Sequence, residues 1–113
     1  MKPPIRFDSS DAPVRFNNFA KPIERRGDLQ YFRWKVFTDE PDAILDKIES
    51  VEYLLHPTFP NPYATRKDRA TKFSLESRGW GSFDIDITVN FKDGHKEVGK
   101  YYLDLKRGWP QGE

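Results

Sequence analysis

The sequence contains no cysteine, and this absence excludes several ways of building or using a small protein. A chain without thiols forms no disulfides, has no thiolate nucleophile and cannot hold zinc through sulfur ligands. Its stability must therefore come from side-chain packing alone. Freedom from disulfides is typical of proteins in a reducing compartment, so we expect an intracellular protein.

The sequence also lacks an excess of charge of either sign. Its 19 lysine and arginine residues are balanced by 18 aspartate and glutamate residues, which leaves a net charge of +1. A chain so nearly neutral has no long-range field that would attract nucleic acid or an anionic membrane. The basic cluster at 66–69 includes an aspartate and is interpreted as a solvated loop. We therefore expect neither nucleic acid nor a membrane as a direct partner.

Long hydrophobic runs are absent as well. No stretch approaches the roughly 20 apolar residues that a membrane-spanning helix requires. The first residues also lack the apolar run of a signal peptide. These features predict a soluble protein, cytoplasmic in a prokaryote and nuclear in a eukaryote.

Aromatic residues are what the chain has in quantity. Nine Phe, five Tyr and three Trp lie among 113 residues, a length typical of one domain. Hydrophobic residues make up only 36% of the chain. The core must therefore be built from few but large side chains.

Alternation of apolar and polar residues predicts several short strands. The clearest is 83–91 (FDIDITVNF), where every position alternates, as one buried and one solvated face requires. The following KDGH at 92–95 is typical of a hairpin turn. Further strands are predicted at 14–19, 31–38, 51–56, 72–76 and 96–105.

The connections differ in character. Residues 42–50 have the apolar spacing of a short helix, with Asp42 as a possible cap, but equally fit a loop that plugs the sheet edge. The charged stretch 23–30 is predicted to be a loop. Three prolines between 57 and 62 cannot lie inside a sheet, because each lacks a donor N–H, so this segment is expected to be a rigid loop.

Together these elements predict an all-β fold, an immunoglobulin-like antiparallel β-sandwich. We expect the domain to span 14–106, preceded by a flexible arm at 1–13 and followed by a tail at 107–113. The tail is expected to be loose, with the alternative that Trp109 folds back onto the sheet.

Little in the sequence favours catalysis. His56 and His95 are the only histidines, and no nucleophile motif, P-loop or zinc signature is present. Asp84 and Asp86 would lie about 7 Å apart on the wet face of one strand. That spacing suits a carboxylate pair, but such acids more often serve solvation alone. We therefore expect a protein that is not an enzyme and uses no cofactor and no metal.

One group of residues has a more specific arrangement. The proline loop displays His56, Thr58 and Phe59, and a turn in which glycines flank Trp80 follows later in the chain. Loops at the same end of a sandwich converge, so a flat group could stack between the two aromatic rings while a hydroxyl or backbone N–H fixes its carbonyl. The alternative is that Phe59 and Trp80 merely cap the core, which composition alone favours.

The same residues carry a resemblance to a known family. The stretch 55–62 (LHPTFPNP), followed by 79–83 (GWGSF), resembles the paired motifs of the YEATS domain. The strand 31–36 (YFRWKV) resembles the tryptophan-bearing strand of that family. The resemblance covers roughly residues 14–106, and the stretch 16–22 is more similar to prokaryotic members, for which a histone tail would not be the ligand.

The resemblance implies a reader of acylated lysine, of acetyl or crotonyl type, whose partner is an acylated-lysine peptide or protein. Phe59 and Trp80 would sandwich the flat acyl group. The Thr58 hydroxyl would bond to the acyl amide, and the backbone N–H of Trp80 would donate to the acyl carbonyl. Crotonyl, which is flat and conjugated, would gain most from the stacking.

The remaining motif residues would support this pocket. His56 would hold the hydroxyl and the pocket wall, while Gly79 and Gly81, at angles that other residues resist, would let the backbone approach the ligand. A further family aromatic corresponds here to Gln30 or Tyr31. Two other hypotheses stay open: a structural or protein-interaction sandwich without a working pocket, and a sensory module paired with a separate effector.

Overall fold

Two β-sheets pack face to face in the computed structural model, which describes residues 5–110. The strands in chain order are β1 (Ile5–Arg6), β2 (Phe16–Arg26), β3 (Leu29–Thr38), β4 (Ile48–Leu54), β5 (Tyr63–Arg66), β6 (Leu75–Gly79), β7 (Asp84–Phe91) and β8 (Lys96–Tyr102). One sheet has the order β1-β8-β7-β4-β5 and the other β2-β3-β6. All neighbours are antiparallel except β1 and β8. The predicted all-β, immunoglobulin-like sandwich is confirmed.

The core lies between the apolar faces that the alternation predicts. In β7, Ile85, Ile87 and Val89 point inward and are at most 1% exposed, while the acids between them point to solvent. Trp34 and Val36 of β3 meet them from the other sheet and are fully buried. Burying each such side chain contributes about 1.5–3 kcal/mol, so this layer supplies much of the stability that the missing disulfides would otherwise provide.

A buried polar cluster ties the two sheets together. Asn18 of β2 is fully buried, and its Oδ1 accepts a hydrogen bond from the Tyr101 hydroxyl of β8 at 2.7 Å. The same oxygen accepts from the Asp104 backbone N–H, and the Asn18 amide donates to the Asp104 carbonyl. Every polar atom of this side chain is therefore paired across the sandwich, which fixes how the sheets are placed relative to each other.

The N-terminal segment differs from the loose arm expected at 1–13. Ile5–Arg6 forms β1 alongside β8, and Phe7 is 1% exposed in the core. Residues 1–4 lie outside the described part of the chain. The proline and serine content suggested disorder, but a single large aromatic is enough to anchor a short segment.

Two other expectations about strands are wrong. The segment 23–30 is not a loop, because β2 and β3 continue as an exposed ribbon and turn only at Gly27 and Asp28. The strand predicted at 72–76 begins three residues later, because Lys72 and Phe73 have positive φ angles of 59° and 56°, which no strand adopts.

The connection at 42–50 is divided between two elements. α1 (Asp42–Leu45) forms one turn of helix and β4 begins at Ile48, so the helical interpretation holds only for the first half. Asp42 is the first helical residue rather than the cap, a position that Pro41 takes. No helix in the described part of the chain is long and apolar enough to cross a membrane.

The C-terminal segment packs on the three-stranded sheet as far as it is described. Gly108 forms a parallel bridge with Ala20, and the Trp109 ring lies 6.4 Å from that of Phe19. Trp109 thus folds back onto the sheet, the option that the sequence left open. Residues 111–113 of the expected tail lie outside the described part.

Candidate functional site

A pocket of about 380 Å³ opens at the end of the sandwich where β4 and β6 finish and β7 begins. Its lining includes all six residues singled out from the sequence, His56, Thr58, Phe59, Gly79, Trp80 and Gly81. The other lining residues are Tyr31, Pro60, Arg78, Ser82 and Phe83. Two segments far apart in the sequence are therefore brought together in one cavity.

The proline loop forms one wall because its ends are tied. The Leu55 N–H donates to the Pro62 carbonyl at 2.7 Å, which closes the loop at its base. The Phe59 N–H donates to the His56 carbonyl at 3.0 Å, which folds its tip into a turn. With φ fixed at each proline, this loop holds Phe59 over the end of the core rather than in solvent.

The polar part of this wall is formed by His56 and Thr58. The backbone N–H of Thr58 donates to His56 Nδ1 at 3.3 Å, and the Thr58 hydroxyl lies 2.9 Å from the same nitrogen. A nitrogen that accepts the backbone N–H carries no proton of its own in the neutral ring. In that tautomer the Thr58 hydroxyl donates to Nδ1, so its lone pairs remain available to accept a hydrogen bond from a ligand.

The aromatic part of the site has a packed base and an exposed rim. The Phe59 ring lies 5.4 Å from Phe83 and 6.4 Å from the buried Trp34, centroid to centroid. Phe83 in turn packs on Trp34 at 6.2 Å. Trp80, by contrast, is 58% exposed. An exposed indole on the rim of a pocket is an available stacking surface, whereas Phe59 is already positioned by its neighbours.

The two glycines are used differently from the expectation. Neither Gly79 nor Gly81 has a positive φ, so the idea that the turn needs backbone angles closed to other residues is wrong. A Cβ atom on Gly79 would lie 3.6 Å from the Phe59 ring and 3.9 Å from Trp34 Nε1. The absence of a side chain at Gly79 therefore leaves room in the pocket, because a side chain there would lie against Phe59 in the lining.

The structure also shows which of the two residues considered ahead of Trp34 in β3 faces the site. Tyr31 lines the pocket, while the Gln30 amide donates to the backbone carbonyls of Glu24 and Tyr31. Arg78 also lines the pocket, although it belongs to neither of the two motifs. Pairing of β6 with β3 places it beside the pocket, and no periodicity in its own segment indicates that.

The other candidates for chemistry lie outside this pocket. His95 stacks on Phe91 at 4.1 Å in the β7–β8 hairpin, as an exposed turn residue. The carboxylates of Asp84 and Asp86 are each held by a cation, Arg6 and Lys100 respectively. These side chains contribute to the solvated faces of the sheet.

Comparison with known proteins identifies relatives of this chain. The Saccharomyces cerevisiae protein AF-9 homolog is 37% identical over 76 residues, which cover 65% of this chain and 33% of that protein. The match spans between 27% and 48% of the length of the curated relatives. Their activities as whole proteins do not transfer with the match.

Solved structures show the same fold. The crystal structure of the yeast AF-9 homolog Yaf9 superposes with a TM-score of 0.67 at 28% identity, covering 80% of this chain and 64% of that one. The Yaf9 YEATS domain bound to H3K27ac superposes at 0.64 and 25% identity, covering 86% and 79%.

The family model for the prokaryotic YEATS domain matches residues 32–104. That range contains both motifs that line the pocket and the strand that carries Trp34 beneath it. The chain therefore belongs to the prokaryotic YEATS domain family.

Proposed function

We propose that the chain is a non-catalytic module that binds an acylated lysine side chain in this pocket. The observation that carries the proposal is that one pocket is lined by Phe59, which packs on the core, by the exposed ring of Trp80 and by Thr58 with its hydroxyl. A flat apolar group with one polar edge fits such a site. The related Yaf9 domain bound to H3K27ac supports the assignment.

The chemistry of lysine acylation matches these groups. Acylation removes the ammonium charge and creates a planar secondary amide with one donor and one acceptor. The Thr58 oxygen would accept from the amide N–H, and the Trp80 backbone N–H would donate to the acyl carbonyl. An unmodified lysine offers neither planarity nor an acceptor, and its charge would have to be desolvated against two aromatic rings.

The acyl chain itself would lie between Phe59 and Trp80. Crotonyl keeps its chain coplanar with the amide through conjugation, so it would stack over a longer flat surface than acetyl does. We therefore assign the pocket a preference for crotonyl over acetyl. Tyr31 and Phe83 would close the apolar sides of the slot.

The experiment is a titration of the ¹⁵N-labelled protein with crotonyl-lysine, acetyl-lysine and unmodified lysine peptides of one neutral sequence. We expect saturable shifts of the backbone resonances of Thr58 and Trp80 with both acyl peptides, with the higher affinity for the crotonyl peptide. Unmodified lysine should cause no shift. The absence of any shift with either acyl peptide at millimolar concentration would contradict the proposal. It would favour a sandwich that acts through its surface instead.

A further inference from the structure

The outer face of the three-stranded sheet carries a row of three cations that ends at the pocket. Lys21 of β2 lies directly opposite Arg33 of β3, and Arg33 lies directly opposite Arg78 of β6. Arg78 is also a lining residue of the pocket. Because neighbouring strands lie about 4.8 Å apart, the row extends about 10 Å across the sheet.

This row is unfavourable for the folded chain on its own. Like charges directly opposite each other on adjacent strands destabilise a sheet. One carboxylate relieves it, since Glu76 binds Arg33 at 2.8 Å. Within residues 5–110, Lys21 and Arg78 form no ion pair. In the strand pairing of the described residues, the position opposite each of these two cations is Arg33, so no carboxylate faces either of them there.

The Trp109 ring contacts two cations of the row, Lys21 and Arg33, without neutralising them. The Trp109 ring lies 4.8 Å from Lys21 Nζ, 5.1 Å from the Arg33 guanidinium and 5.3 Å from Lys35 Nζ. Cation–π contacts fix the positions of ammonium and guanidinium groups, but an aromatic ring contributes no net charge. The face therefore remains cationic and ordered, as a recognition surface requires.

We infer that this row binds acidic residues next to the acylated lysine, so that the target is an acidic segment of a protein. The inference rests on the proposed function, because the row continues directly from the pocket lining at Arg78. An extended peptide advances about 3.3 Å per residue, so the length of the row matches about three residues beside the modified lysine. Charge complementarity then selects the flanking sequence while the pocket selects the modification.

The test compares three crotonyl-lysine peptides whose flanking residues are acidic, neutral or basic, with an unmodified acidic peptide as a further arm. Affinity is measured by fluorescence anisotropy at low and high ionic strength. We expect the acidic crotonyl peptide to bind about tenfold more tightly than the neutral one at low salt, and this advantage to shrink at high salt. The basic peptide is expected to bind least tightly.

Lys21→Gln is the informative variant, because Lys21 lies at the end of the row away from the pocket. It should reduce the advantage of the acidic peptide and leave binding of the neutral peptide unchanged. Lys92→Gln makes the same charge change at the other end of β7 and serves as the control. Lys92 is exposed and Lys21 is half-buried beside Trp109, and glutamine keeps much of the lysine stem, so neither change is expected to unfold the protein.

The outcomes separate this inference from the proposed function. Equal binding of all three crotonyl peptides would overturn the acidic target and leave the acyl-lysine pocket standing. Failure of every crotonyl peptide would overturn both. Equal binding of the unmodified acidic peptide, or stronger binding of a short duplex DNA to the same face, would also overturn the inference, because the cations would then act independently of the pocket.

Discussion

Gly99 of β8 lies so close to Ile5 of β1 that a Cβ atom on residue 99 would stand 2.4 Å from the Ile5 carbonyl oxygen. Real Cβ contacts are essentially never that short, and the three nearest atoms are the Ile5 carbonyl oxygen and carbon and the Ile5 Cβ, none of which is the end of a flexible side chain. The parallel pairing of β1 with β8 therefore depends on the absence of a side chain at residue 99. This contact explains how the N-terminal segment joins the sheet.

Gly99→Ala should detach β1 and destabilise the protein by about 1–3 kcal/mol, because a methyl group cannot be accommodated without moving the strand. The free energy of unfolding in urea measures the effect. Gly108→Ala is the matched control, since a Cβ there meets nothing within 4 Å. Equal stability of the two variants would contradict this account of the N-terminal segment.

Replacement of Thr58 tests the polar anchor of the pocket. Thr58→Val keeps the shape of the side chain and removes the hydroxyl, so we expect the affinity for a crotonyl-lysine peptide to fall about tenfold. Thr58→Ser keeps the hydroxyl and should bind as the parent does. Thr58 is exposed, so neither variant should change the stability. Tight binding by Thr58→Val would show that the hydroxyl does not hold the ligand.

Stability at alkaline pH depends on the buried tyrosines. Burial raises the pKa of the Tyr101 hydroxyl to about 12 and that of Tyr53 above its ordinary value as well. In the unfolded chain these hydroxyls ionise near pH 10, so above that pH the unfolded state releases protons that the folded state retains. The stability of the fold is therefore complete below about pH 10 and declines as pH rises further.

Tyr101→Phe isolates one part of this pH dependence. Below pH 9 the substitution should lower the free energy of unfolding by a constant amount of about 1 kcal/mol, the value of the lost hydrogen bond to Asn18. Above pH 10 the deficit should narrow, because the variant has no hydroxyl to ionise. Urea unfolding of the parent and the variant at a series of pH values measures this difference in the free energy of unfolding. A difference that stays constant up to pH 12 would contradict the raised pKa of Tyr101.

The sequence predicts those elements whose residues alternate against the core. In 83–91 every second side chain is apolar, and β7 occupies nearly the same range. The ends of β2 and β3 extend beyond the core, so both of their faces are exposed and no alternation marks them. β5 is an edge strand with no buried residue, so burial leaves no alternation of apolar and polar residues to mark it.

The sequence predicts those pocket residues that belong to short motifs. It does not predict the residue that reaches the pocket only through the pairing of two strands. Thr58, Phe59 and Trp80 belong to short segments whose composition is unusual, and a resemblance to a family joins the two segments. Arg78 lines the pocket only because β6 pairs with β3 in one register, and a shift by one residue would place it on the opposite face. Contacts of this kind are not encoded in the local pattern.

The most direct test of the acyl-lysine pocket is the affinity of Trp80→Ala for a crotonyl-lysine peptide, measured by calorimetry beside Tyr102→Ala. Both rings are exposed, at 58% and 50%, so neither substitution should unfold the domain, but only Trp80 lines the pocket. Loss of the stacking ring should weaken binding by about 2 kcal/mol or roughly thirtyfold, while Tyr102→Ala binds as the parent does. Equal affinity of the two variants, with the fold intact in both, would contradict the account.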